Sequence, residues 1–169
     1  MTPSPLRLAL VVLAAAILAA CSRGSATAPD QGAAFLAKNA HAEGVQVTAS
    51  GLQYKVLASG PTNGVPPRLD DEVKVDYEGR LLDGQVFDSS YQRGEPAVMT
   101  VRDLVPGWTE ALQRMRPGDV WMLYLPPTLG YGDHEAGPIP PNSVLVFKLA
   151  LLGVSPADGP SAPPPRSGP

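Results

Sequence analysis

Between Val73 and Phe147 the chain gathers Tyr77, Phe87-Asp88-Ser89-Ser90, Val105-Pro106-Gly107-Trp108, Tyr131-Gly132 and Ile139-Pro140-Pro141. These are aromatic, aliphatic and turn residues, and Asp88 is the only charge among them. A nucleophile, a metal cage or a phosphate grip needs other residue types. This set suits an apolar pocket with a few polar tips, and chemistry governed by shape and dehydration more than by proton transfer.

Other chemistries find little support. His41 and His134 are the only histidines and lie far apart. Ser89 and Ser90 have no serine-elbow motif and no evident base. One Cys and two His do not make a metal-ligand cluster, and no cofactor is expected. The absence of a C-x-x-C pair argues against a thiol oxidoreductase. A net charge of −3 and a pI near 5.3 argue against a nucleic-acid partner, which requires a basic surface.

The elements that must position these residues are mostly strands. Val73 to Leu82 has the clearest pattern, with Val73, Val75, Tyr77, Gly79 and Leu81 alternating against Lys74, Asp76, Glu78 and Arg80. Asp83-Gly84 supplies a tight hairpin turn, and Gln85 to Asp88 starts the return strand. Gly51 to Leu57 alternates Leu52, Tyr54 and Val56 against Gln53 and Lys55. Met99 to Val101 is a short strand candidate. Val120 to Leu125 is apolar enough to be covered on both sides, and Ser143 to Leu152 presents Leu145, Phe147, Leu149 and Leu151 on one side. Pro126 to Pro141 is a Gly- and Pro-rich loop. Pro106 opens a short helix in which Trp108, Ala111, Leu112 and Met115 fall at i, i+3, i+4 and i+7, and Pro117-Gly118 ends it. Asp30 can cap an earlier short helix ending near Gly44, with Ala33, Leu36, Ala37 and Ala40 as its apolar stripe. The order predicts an α+β fold, an antiparallel sheet packed on one short helix.

The ends read differently. Arg7 precedes an uninterrupted apolar run from Leu8 to Ala20, 13 residues, shorter than the about 20 needed to span a bilayer. That length suits a signal-peptide core over residues 1–20. Leu18-Ala19-Ala20-Cys21 resembles the lipobox of bacterial lipoproteins, which implies cleavage before Cys21 and acylation there; an ordinary secretory signal is the alternative. Ser22 rather than Asp after the cysteine favours the outer membrane. Residues 21–29 then form a tether, 30–44 the first helix, 45–154 the folded domain, and 155–169 a tail with six prolines that cannot bury a core.

Val75-Asp76-Tyr77-Glu78-Gly79, Gly84 to Ser90, Val105 to Trp108, Tyr131-Gly132, Ile139-Pro140-Pro141 and Val146-Phe147 together resemble the FKBP-type peptidyl-prolyl cis-trans isomerases, in order and spacing. Thr48 to Tyr54 is similar to the lead-in segment of bacterial cell-envelope members. The resemblance implies a curved antiparallel sheet of five to six strands wrapped around one short helix. It implies an enzyme acting on proline-containing unfolded or partly folded polypeptides, reaching the membrane only through a lipid anchor. The long dimerising arm of larger members has no counterpart here, so a monomer is expected. The pocket carried over comprises Tyr77, Phe87, Asp88, Trp108, Tyr131 and Phe147 as catalytic residues, and Leu104, Val105 and Ile139 as substrate-binding ones. Trp108 is expected as the floor, and the Tyr131 hydroxyl as a donor to the carbonyl before the proline. Asp88 is expected as a polar rim group, with a structural role through hydrogen bonds to Tyr77 or Arg93 as the alternative. Three departures bear on substrate preference. Ala97 stands at an often aromatic position, the loop from Met99 to Trp108 is short, and the flap from Tyr131 to Ile139 is one residue shorter. A slow FKBP-fold chaperone or binding module, and an adhesion or docking lipoprotein, are the competing readings. On residue type alone Trp108, Tyr77 and Phe147 would be ordinary core.

Overall fold

The computed structural model describes residues 28–157. The expected leader, the expected lipidation site Cys21 and the tail beyond Ala157 lie outside them. Seven strands form one antiparallel sheet: β1 Val45–Val47, β2 Gln53–Ala58, β3 Glu72–Arg80, β4 Val86–Ser89, β5 Ala97–Thr100, β6 Val120–Leu125 and β7 Leu145–Ser155. Their order is β1-β2-β6-β7-β3-β4, and β5 shares the outer edge of β3 with β4. The sheet therefore has six lanes, because one edge lane is split by a short helix, α2 (Ser90–Arg93). β1, only three residues long, is too short to show a period.

Alternation does on β3 what the sequence predicts. Val73, Val75, Tyr77 and Gly79 are buried, while Lys74 and Arg80 face water. β7 pairs along the whole of β3, setting Val75 opposite Leu151, Tyr77 opposite Leu149 and Gly79 opposite Phe147. Helix α3 (Pro106–Leu112) lies against this face and, with the turn after it, buries Trp108, Ala111, Leu112 and Met115. Leu112 and Met115 are fully buried with Leu123, Leu145, Leu149 and Leu151. Each large aliphatic side chain so placed contributes about 1.5–3 kcal/mol.

Two expectations need correction. The strand β6 buries Trp121, Leu123 and Leu125, but Val120, Met122 and Tyr124 are only half-covered, so its second face is not closed. The first helix, α1, runs Ala28–Asn39, so Asp30 lies inside it rather than before it. Its inward side is also rotated from the expected stripe, since Ala33 and Ala37 are exposed. Gly32 is buried, and an added Cβ there would sit 3.0 Å from Val144 Cγ2. The Phe35 ring meets Tyr124 at 5.9 Å. Gln53, read as a polar outward residue, is the latch for this helix. Its Nε2 donates to the Leu36 carbonyl at 2.8 Å, and its Oε1 accepts from Asn39 Nδ2 at 2.8 Å. A buried amide paired on both sides is stable where an unpaired one would be costly.

Candidate active site

The site starts at the β3–β4 hairpin. Gly84 takes φ +89° in the turn, where Asp83 Oδ1 accepts from the Gln85 amide at 2.9 Å. Past the turn the register slips. Gly79 faces Asp88, but Arg80 faces Val86, leaving Phe87 as an extra residue. In a regular strand Phe87 and Asp88 would point to opposite sides. The bulge brings both into one cavity, the use to which bulges beside active sites are put.

Ser89 and Ser90 are structural. Ser89 Oγ accepts from the Gln92 amide and caps α2. Ser90 Oγ donates to Asp76 Oδ1 at 2.8 Å and accepts from the Tyr77 amide at 2.9 Å. Gly94, at φ +79°, ends the helix after one turn, which returns Arg93 over Tyr77. There the guanidinium lies 5.3 Å from the ring centroid, and Nη2 donates to the phenol oxygen at 2.9 Å. Arg93 Nη1 also donates to Asp88 Oδ1, and the Tyr77 hydroxyl donates to Asp88 Oδ2. Burial first, and the Asp88 contact second, push the Tyr77 hydroxyl above its ordinary value, while Arg93 pulls the other way. The phenol therefore stays protonated at neutral pH. With both oxygens engaged, Asp88 is placed to position Tyr77 and Arg93.

Three edge-to-face contacts make the apolar wall. Tyr77 meets Trp108 at 5.0 Å and 85°, Trp108 meets Phe147 at 5.2 Å and 81°, and Phe87 meets Phe147 at 5.5 Å and 87°. Such pairs contribute about 0.5–1.5 kcal/mol beyond their burial. Trp108 is fixed early in α3, with its amide donating to the Val105 carbonyl at 2.9 Å. Gly107 beside it admits the close approach of Leu125, whose Cγ would lie 2.5 Å from any added Cβ. The indole Nε1 is shielded from solvent and has no acceptor among the described residues, so the ring meets the cavity through carbon.

Val101–Asp103 forms a single 3₁₀ turn that delivers Leu104 and Val105 to the rim. The Thr109 hydroxyl donates to the Val101 carbonyl at 3.0 Å and holds this turn to α3. Across the opening, the flap is an ordered loop. Ala136 and Ile139 exchange backbone hydrogen bonds at 3.0 Å, and Asn142 donates to the Gly132 carbonyl at 2.7 Å. Ile139 is buried, Tyr131 is 42% exposed, and the Tyr131 hydroxyl has no partner among the described residues.

The cavity enclosed is about 440 Å³, within the range of small-ligand sites. All nine pocket residues expected from sequence line it: Tyr77, Phe87, Asp88, Leu104, Val105, Trp108, Tyr131, Ile139 and Phe147. Four linings were not expected: Met99, Asp103, Ala136 and Pro138. Met99 has a signal, since it stands two residues after Ala97 on the same strand face. Ala97 itself is half-buried beside the core and does not reach the cavity.

A model of the FKBP-type peptidyl-prolyl cis-trans isomerase family matches residues 64–152, more than half of the chain and all of the site. The chain belongs to this family. A second model, of the domain amino-terminal to FKBP-type isomerases, matches residues 8–56. Among FKBP-type relatives, the peptidyl-prolyl cis-trans isomerase Mip of Coxiella burnetii is 52% identical over 122 residues, 72% of this chain and 52% of that protein. The outer membrane protein MIP of Legionella longbeachae is 45% identical over 128 residues, 75% of this chain and 54% of that one. The chain spans about half the length of these curated relatives. The crystal structure of a Pseudomonas syringae peptidyl-prolyl cis-trans isomerase superposes with a TM-score of 0.70 at 36% identity, covering 76% of this chain and 93% of that one. The FKBP fold expected from sequence is thus the fold observed.

The polar triad yields a first prediction. Asp88→Ala leaves the Tyr77 hydroxyl and Arg93 without their shared acceptor. Bonds to charged groups are worth about 1.5–3 kcal/mol when shielded, and Asp88 is partly exposed, so a loss near the low end is expected. Turnover of a prolyl peptide should fall about tenfold, with Asp88→Asn intermediate. Equal rates for all three proteins would show the triad to be idle.

Proposed function

We propose that this chain is a peptidyl-prolyl cis-trans isomerase acting on proline-containing polypeptides of the bacterial cell envelope, as a monomer anchored by acylated Cys21. The observation that carries the activity is the aromatic base of the cavity: Tyr77, Phe87, Trp108 and Phe147 joined edge to face beneath a space of about 440 Å³, ample for a proline ring. The lipobox-like Leu18 to Cys21 and the outer-membrane name of one relative support the location.

The X–Pro bond resists rotation by about 18–20 kcal/mol because resonance holds it planar. Cis and trans differ by only about 0.5–1 kcal/mol, so lowering the barrier suffices. The planar form separates charge between oxygen and nitrogen, and water stabilises that dipole. The twisted form is less polar. An apolar cleft therefore disfavours the planar state more than the twisted one, and each 1.4 kcal/mol of that difference is about tenfold in rate. Only the difference counts, since equal binding of both forms accelerates nothing once the site is full. The ring of the proline rests on the Trp108 indole, against the wall that Phe87 and Phe147 form together, while the preceding carbonyl turns toward Tyr131. Uncatalysed isomerisation takes about 10–100 s, slow enough to limit folding.

The test is the cis–trans exchange rate of a capped prolyl peptide, with and without the protein. Acceleration supports the enzyme, and equal rates with measurable peptide binding leave a binding module. In the same assay Tyr131→Phe is expected to lose about two- to fivefold in kcat/KM, the worth of one exposed neutral hydrogen bond. No loss would remove the hydroxyl from the mechanism and leave the apolar lining to act alone.

A further inference from the structure

The cavity is apolar at its base, but its charges are not balanced at its rim. Asp88, the one lining charge anticipated from sequence, is neutralised by Arg93. Asp103 also lines the cavity, is exposed, and has no hydrogen bond or ion pair among the described residues. The neighbouring cation Arg102 is taken by Asp70. The flap carries Asp133 and Glu135, both exposed, with the His134 ring 3.5 Å from Asp133. Among the described residues, no Lys or Arg lines the opening.

We propose that Asp103 is a specificity-determining residue that favours polypeptides with Lys or Arg flanking the proline and disfavours those with Asp or Glu. This rests on the isomerase reading and goes beyond it by naming the substrate class. The apolar base accepts any proline ring, so it has no means of sorting substrates by charge. The residues on either side of the proline must pass the rim, where an uncompensated carboxylate attracts a cation and repels an anion. Because Asp103 is the last residue of the 3₁₀ turn held by Thr109, its backbone position is fixed relative to Leu104 and Val105 rather than left to a mobile loop.

The experiment uses the full chain and three neutral-capped peptides, Ala-Xaa-Pro-Xaa-Ala, in which both Xaa are Lys, Gln or Glu. NMR gives the exchange rate, without a coupled protease, and chemical-shift titration gives Kd. At low salt the Lys peptide should exceed the Glu peptide by about fivefold in kcat/KM, the scale that exposed charge pairs support. Near 1 M salt, where the screening length is about 3 Å, the ratio should approach one. Asp103→Asn should reduce the ratio at low salt and Asp103→Lys should invert it. A wild-type ratio near one, or a ratio unmoved by Asp103→Lys, overturns the proposal. Should no peptide be accelerated while the Kd values keep the same order and respond to Asp103→Lys, the isomerase reading fails and the charge selection stands.

Discussion

Trp108→Ala is expected to destabilise the domain by about 3–5 kcal/mol and to lower kcat/KM by more than tenfold in the molecules that remain folded. The indole is 5% exposed and supports Tyr77 and Phe147 through two edge-to-face contacts, so its removal opens a void beneath both walls. The void would join the cavity and admit water where a proline ring should rest, which would weaken the dehydration proposed above to lower the barrier. Urea unfolding gives the stability change, and peptide exchange measured at low temperature gives the activity. Trp108→Phe separates the effects, because it retains an apolar floor at a smaller cost in stability. If Trp108→Ala turned over peptide at the wild-type rate, the floor would have no part in catalysis.

A second large effect is expected from a residue outside the cavity lining. A Cβ at Gly79 would lie 2.6 Å from Phe147 Cε1 and 2.6 Å from Phe87 Cε2, closer than real contacts allow. Gly79→Ala must therefore push apart the two rings that form the inner wall. Overpacking of this kind costs about 1–3 kcal/mol, and the displaced rings should lower kcat/KM by roughly tenfold. Gly153→Ala is the matched control, since nothing lies within 4 Å of its added Cβ on β7. Melting curves and exchange rates of the two variants should diverge. Similar behaviour would mean that the aromatic wall yields without consequence.

Much of this architecture is legible in the sequence. The alternation from Val73 to Leu81 marked the inward face of β3, and the spacing of Trp108, Ala111, Leu112 and Met115 marked that of α3. The resemblance of the motifs placed nine residues around one pocket, and the structure gathers all nine. Other features were hidden. Gln53 reads as a solvent-facing amide, yet its partners lie on α1, in an element 14 to 17 residues away. The helix stripe is turned from the expected one because Gly32, with no side chain, carries no hydrophobic signal although it is buried against Val144. Asp103 has the look of any exposed carboxylate until the opposing flap is seen.

By itself the order of residues determined which side of each strand and helix is apolar, because that preference is written in a period of two or 3.6 along a few neighbours. Only the tertiary structure decided that Phe87 and Asp88 share a face, since the slip in register against β3 depends on the partner strand. It likewise decided that Arg93 closes over Tyr77, and that Asp103 has no counter-ion among the described residues. Local pattern sets what each segment wants to bury; long-range pairing sets which polar groups find partners when it does.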